Sequence, residues 1–429
     1  MINYSSPSYR HSRNAYIGHC TFDYFVTLLV TDAYLAKLLS SIGISDAMVG
    51  IISSLITFAF LLKLGAIFVM QKIRNIKKVS ITFHILHQFL FSLLYLIPFI
   101  NISTEFKTTL VVIAIMSAYC CNYIVMSIIF KWGNSYVAPE HRAEFSAGKE
   151  MVSLITGMVF TLVIGHIIDR FESIGNIKGG FLFISAAIFI LSICNLICLL
   201  RIKNGMGDGE IIKPNTTPFK DVLKHLFENK AYKTICIYTA LWDISRYMIV
   251  GYLGIYKTKD LLLSVGFVQI INIISNICRF LLSRPIGRFS DKFSYAKGLE
   301  LGSIIAATAF FTLIFCTPDT WWIIIIHTIL YYVSMAGTNQ NASNITYDYV
   351  EPEYFVQASA VKSAIGGLCG FTASLIAGKV LNSIQASGNI IFGIHLYGQQ
   401  FLGAIAFIMC GFTILYLHFV VSKQDKISN

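Results

Sequence analysis

Charge is what this 429-residue chain has least of: Asp, Glu, Lys and Arg make up 13% of it, about half the ~25% of an ordinary soluble domain. That shortage excludes a soluble globule. The usual catalytic signatures are missing too. No P-loop, GxSxG, HExxH or dinucleotide fingerprint occurs, so the sequence supports neither ATP-driven work nor a recognised hydrolase, and no enzyme activity and no cofactor are expected. The ten cysteines include no CxxC and fall mostly in apolar stretches, where they read as reduced, buried small hydrophobes. His84 and His87 stand one turn apart, but no Cys, Asp or Glu close in sequence completes a metal site. They read as core or lipid-facing residues, and no metal is expected. The polar opening residues lack an apolar core followed by a cleavage site, so no removable signal peptide is expected.

What is abundant is apolar length. Hydrophobic residues make up 55% of the chain. Runs long enough to cross a hydrocarbon layer of roughly 30 Å fall near 14–40, 46–70, 79–100, 108–134, 146–168 and 178–201, then near 231–256, 262–283, 297–316, 320–345, 357–382 and 393–421. The expected organisation is therefore a six-helix bundle over 1–201, a polar linker over 202–230 with a short amphipathic piece around Phe219 to Phe227, and a second six-helix bundle over 231–429.

The net charge of +11 would suggest nucleic acid in a soluble protein. Here the basic residues sit in short connections between apolar runs, so no nucleic-acid partner is expected and the charge reports orientation. Arg10, Arg13, Lys72, Arg74, Lys77, Lys78, Arg142, Lys203, Lys213, Arg284, Arg288, Lys292, Lys297, Lys423 and Lys426 fall at the termini and in alternate connections. Both termini of a multi-pass plasma-membrane protein are thereby placed in the cytoplasm.

One stretch occurs twice. Tyr136-Val137-Ala138-Pro139-Glu140 returns 213 positions later as Tyr349-Val350-Glu351-Pro352-Glu353, and the same offset carries Lys149 onto Lys362 and Gly157 onto Gly370. At an offset of 220, Asp23 falls on Asp243, Lys37 on Lys257 and Phe60-Leu61-Leu62 on Phe280-Leu281-Leu282. So long a period means duplication of a whole domain rather than a solenoid. The expected fold class is an all-α integral membrane protein of twelve spans, built as two bundles related by a pseudo-twofold axis.

The stretch Arg284-Pro285-Ile286-Gly287-Arg288-Phe289-Ser290-Asp291-Lys292 with Lys297 resembles the signature loop of the major facilitator superfamily, with Gly287, Asp291, Lys292 and Lys297 at the matching positions. The first-half copy is degraded: Gln71 stands at the position of Asp291 and Ile67 at that of Gly287. The resemblance implies secondary transport by alternating access, as symporter or antiporter, with the first, fourth, seventh and tenth helices lining a central cavity. It also implies gating contacts. Asp291, with Gly287, Arg288 and Lys292, is expected to face the start of the fifth helix near Arg142 or Lys149, and the Gln71 stretch is expected to face Lys362.

Charges inside spans are functional candidates because they are costly there. Asp23 and Asp32, nine residues apart on the first run, point to opposite faces of a continuous helix. Asp23 and its counterpart Asp243, the latter with Arg246 one turn on, read as braces or cavity groups. Asp32, with no counterpart, is the expected protonatable coupling residue. Asn122, Lys131, Trp132, Trp242, Asn339, Gln340 and Asn341 offer aromatic and amide groups for a small polar solute. Gly366 and Gly370 form a close-packing GxxxG pair. The expected partners are a small-molecule substrate, the lipid bilayer and protons, with the chain a monomer. The competing reading is a transport-inactive membrane sensor or accessory scaffold, for which the degraded first signature stretch speaks.

Overall fold

The structure, a computed structural model, describes residues 4, 6–64, 75–138, 142–207, 219–351, 354–391 and 394–423. It is all-α apart from a two-residue hairpin pairing Ile390–Ile391 with Ile394–His395. The first unit holds α1 (Pro7–Leu29), α2 (Asp32–Ser41), α5 (Ile76–Leu94), α6 (Thr104–Asn134), α7 (Arg142–Ser173) and α8 (Ile177–Arg201). The second holds α3 (Asp46–Ser53), α4 (Leu55–Ala59), α9 (Phe219–Glu228), α10 (Lys230–Tyr247), α11 (Val250–Ile255), α12 (Val265–Phe293), α13 (Tyr295–Leu313), α14 (Ile323–Tyr349), α15 (Phe355–Ala386) and α16 (Gly398–Tyr416).

Side-chain acceptors start several of these helices. Asn75 accepts from Lys78 N, Ser103 from Phe106 N, Asn176 from Gly179 N and Ser264 from Phe267 N, each satisfying a donor that the first turn leaves open. Such economy suits lipid, where a helix satisfies its main chain internally.

Eight helices among the described residues are long and apolar enough to cross a membrane: Lys77–Phe99, Thr104–Asn134, Gly148–Ser173, Ile177–Arg201, Val265–Phe293, Tyr295–Leu313, Gln357–Ala386 and Gly398–Val421. The sequence suggests twelve. The other four runs are helical but interrupted or more polar. The first is cut between Leu29 and Asp32, the second is split into α3, α4 and a 3-10 turn at Phe60–Leu62, and the seventh is cut between Tyr247 and Val250. The tenth, α14, is continuous but carries Asn339, Gln340, Asn341 and Asn344.

Helix pairing repeats in the two units. In the first, α1 packs on α7 and α8 while α5 packs on α6 and α8; in the second, α10 packs on α15 and α16 while α13 packs on α14 and α16. These are the same partners in the same chain order, as a duplicated block requires.

Residues 45–64 pack with the second unit, because α3 and α4 meet α11 and α15 over bare main chain. A Cβ at Gly50 would stand 1.9 Å from the Tyr252 ring, one at Gly251 2.6 Å from Gly50 O, and one at Gly367 2.2 Å from Thr57 O. Ser54 and Ser374 hydroxyls bridge the same seam at 2.8 Å. The expected GxxxG pair is also a close contact, in this case with α10. A Cβ at Gly366 would lie 2.1 Å from Asp243 Oδ2 and one at Gly370 2.5 Å from the Tyr247 ring. The linker's amphipathic piece is α9, which buries Val222 and Leu226.

Candidate functional site

Each unit holds an open cavity beside the carboxylate that the repeat places on its first helix. The cavity of the first unit, about 300 Å³, is lined by Tyr16, His19, Cys20, Asp23, Tyr24, Asn122, Lys149 and neighbours from α1, α5, α6 and α7. Asp23 projects from α1 towards α5. Gln88 Nε2 donates to its Oδ1 at 3.3 Å, and His84 Nε2 and His87 Nε2 stand 3.6 and 3.8 Å from the same oxygen. Both imidazoles are almost fully buried. The spacing of His84, His87 and Gln88 puts all three on one face of α5. His87 Nδ1 meets Ala118 O at 3.0 Å, while His84 Nδ1 and His87 Nε2 have no hydrogen-bond partner among the described residues.

His19 extends the cluster. Its ring lies 4.5 Å from that of His84, and the Asn195 amide, turned so that its nitrogen faces His19 Nδ1 at 2.7 Å, accepts from Gln88. Lys149 stands over the Tyr16 ring at 4.9 Å. Asp23 thus faces a buried network of imidazoles and amides. Sequence alone reads His84 and His87 as core or lipid-facing. They are core residues whose partner lies 61 positions away in sequence from His84, a separation that no local motif reveals.

The cavity of the second unit, about 370 Å³, is lined by Phe60, Lys63, Tyr238, Trp242, Asp243, Arg246, Asn339, Lys362 and neighbouring hydroxyl residues. Arg246 Nε meets Asp243 Oδ1 at 2.7 Å, one helical turn on, and its guanidinium stacks on Tyr247 at 4.5 Å. Lys362, buried on α15, donates to Ala342 O at 2.8 Å and Thr346 Oγ1 at 2.6 Å. The repeat pair Lys149 and Lys362 therefore lines a cavity in each unit, and each lysine has partners within its own unit.

Other candidates stand elsewhere. Asp32 opens α2 with φ 46° after the break in the first run, so the opposite-faces argument, which needs an unbroken helix, does not apply. It is half-buried and outside the lining of both cavities. Trp132 is a structural anchor: its indole Nε1 donates to Lys203 O at 3.2 Å and Gly205 O at 3.1 Å, tying down the chain that leaves α8. Lys131 is exposed. Asn341 is buried and donates to Ser290 Oγ at 2.9 Å and Gly337 O at 2.7 Å, fastening α14 to α12. Gln71 and the two Pro-Glu turns lie outside the described residues, as do the side chains of Arg142 and Gln340.

The signature stretch is not a loop. α12 runs through Pro285, Gly287, Arg288 and Asp291 to Phe293, and only Ser294 separates it from α13. Asp291 and Lys292 are exposed on its last turns, with Lys292 over the Phe293 ring at 5.4 Å.

A third polar cluster gathers at the start of α3. Asp46 accepts from Lys259 at 2.7 and 2.9 Å and from Gln385 at 2.8 Å, while Gln399 donates to the adjacent Asp260 at 3.1 Å. Asp260 follows the seventh apolar run. Burial and the nearby Asp46 push its carboxyl up to about 6, against the opposing pull of Lys259 and the Gln399 hydrogen bond.

Among the described residues no group of three His, Cys, Asp or Glu side chains is placed to hold a metal ion. A family model described as MFS/sugar transport protein matches residues 81–417. Among curated proteins there is no significant match. Solved structures share the fold. The nucleoside transporter NupG is 15% identical with a TM-score of 0.67, over 96% of this chain and 98% of that one. A D-xylose-proton symporter is 11% identical with a TM-score of 0.69, over 95% and 96%. An auto-inhibited POT family peptide transporter is 10% identical with a TM-score of 0.69, over 95% and 97%.

Proposed function

We propose that this chain, which belongs to the MFS/sugar transport protein family, is a secondary carrier that moves a small organic solute by alternating access and is driven by protons bound at Asp23. Twelve spans, cytoplasmic termini and a plasma-membrane location complete the reading. The observation that carries it is the half-buried Asp23 carboxylate facing His84 and His87 across 3.6 and 3.8 Å inside a cavity.

The chemistry follows from the donor count. An ionised Asp23 accepts from Gln88, while the imidazole nitrogens at 3.6 and 3.8 Å stand just outside hydrogen-bond distance. A proton added to that carboxylate turns an acceptor into a donor, for which an imidazole nitrogen without a proton is a new partner. Charging and discharging the site thus changes which helix faces hold each other, since α1 and α5 meet through it. Histidine suits the task because a neutral imidazole holds one donor and one acceptor nitrogen and exchanges them by tautomerisation. Asp23 takes over the coupling role expected of Asp32, which lines neither cavity.

The test is uptake into proteoliposomes under an imposed pH gradient. Asp23→Asn should abolish gradient-driven accumulation while leaving solute exchange, and His84→Gln or His87→Gln should shift the pH profile of uptake. Gradient-driven accumulation that survives Asp23→Asn would overturn the coupling assignment. A wild-type chain with no ionophore-sensitive flux would favour the sensor or scaffold reading.

A further inference from the structure

The two cavities carry opposite charge. In the first, Asp23 and Glu150 face one lysine, Lys149. In the second, Lys63, Arg246 and Lys362 face one carboxylate, Asp243. The second cavity is therefore cationic, and that carboxylate is already engaged by Arg246 through Nε at 2.7 Å.

Lys362 is the telling residue. It is 8% exposed, and the two acceptors of its ammonium, Ala342 O and Thr346 Oγ1, are neutral. Among the described residues no carboxylate lies within ion-pair distance of it. Its hydrogen bonds all go to neutral oxygens, and the one carboxylate that acts on it, Asp243, is shared with Arg246, so its desolvation is only partly offset. Asp243 stands 2.7 Å from Arg246 Nε, so one carboxylate serves both the guanidinium and the buried ammonium. Cations that outnumber the carboxylates of one cavity suit a carboxylate or phosphate. Trp242 and the amide of Asn339 line the same cavity, whose volume lies at the small end of organic-ligand sites.

We infer that the second-unit cavity binds a small organic anion, a carboxylate or a phosphate ester, whose negative group is received by Lys362 and Arg246. The inference deepens the transport reading above and rests on it for the claim that the bound anion is the transported solute. A neutral polyol would leave Lys63, Arg246 and Lys362 with Asp243 alone, so charge is the discriminating property.

The experiment uses the full chain in lipid nanodiscs, with thermal stabilisation and titration as readouts. The probes are succinate against its neutral diamide, and glycerol 3-phosphate against glycerol. The expected result is saturable binding of at least one anion, weakened by added salt and absent for its neutral partner. Binding of succinate alone identifies a carboxylate, and of glycerol 3-phosphate alone a phosphate ester. Lys362→Gln should weaken the anion at least tenfold. Lys63→Gln, at a half-buried position and milder for folding, should weaken it severalfold. Failure of both anions to bind, equal binding of a neutral partner, or unchanged affinity in both variants would overturn the inference. Anion binding without flux of that anion into proteoliposomes would keep the site and remove the carrier reading. Flux of glycerol with no anion binding would do the reverse.

Discussion

Asp46 and Lys259 form an unequal pair: the carboxylate is 5% exposed and the ammonium 56%, at 2.7 Å. The buried member depends on the exposed one. Removing the lysine strands a charge, whereas neutralising the aspartate frees a side chain that water already reaches.

Lys259→Ala should therefore cost more stability than Asp46→Asn, about 1–2 kcal/mol once solvent screening at the exposed lysine is allowed for. Asn at position 46 would keep a polar partner for Gln385. The double variant should recover most of the loss. Thermal unfolding of the three proteins in one detergent checks the order, and a larger loss for Asp46→Asn would mean that the charge pair is not what holds the start of α3.

Asp260 makes the same corner sensitive to pH. Its carboxyl sits at about 6, above the ordinary value of 3.8, chiefly through burial and then through Asp46. A raised carboxyl favours the protonated form in the folded protein. Its contribution is complete below the ordinary value and is lost as pH rises through about 6. Asp46, Lys259, Gln399 and Tyr256 are the groups that interact with it. Asp260→Asn should flatten the change in unfolding temperature between pH 5 and 7 and raise stability at pH 7.5. A variant whose profile matches the unmodified protein would remove Asp260 as the cause.

Two glycines should behave in opposite ways. Gly50→Ala drives a methyl into the fully buried Tyr252 ring, whose hydroxyl is fixed to Ser374 O at 2.6 Å, at a cost of about 2–3 kcal/mol. Gly287, in the signature stretch, has nothing within 4 Å of a built Cβ and lies inside α12. Gly287→Ala should be neutral or stabilise by up to about 1 kcal/mol. Unfolding midpoints of both variants decide the matter, and a destabilised Gly287→Ala would mean that the site is crowded.

Much of this architecture is legible in the chain. The duplication can be read from Lys149 and Lys362 and from Asp23 and Asp243, because each pair keeps its offset, and the structure puts each residue at a cavity of its unit. Long-range partnerships are not legible. Asp23 finds His84 and His87 only after α1 lies against α5. Trp132 resembles a recognition group because aromatics near a span end look alike in sequence, and only the return of Lys203 and Gly205 reveals an anchor. The signature stretch reads as a loop from its Pro, Gly and charges. A helix leaving the apolar layer tolerates such residues on its exposed face, so polarity there marks water rather than the end of the helix.

The cut in the first apolar run after Leu29 and the cut in the seventh after Tyr247 have a mechanical consequence. A continuous rod pivots as a whole, so tilting one end drags the other. A jointed rod lets the segment bearing Asp23 or Asp243 lean while the segment beyond the joint keeps its neighbours. Each carboxylate sits a few residues short of a joint, on the segment that is free to lean.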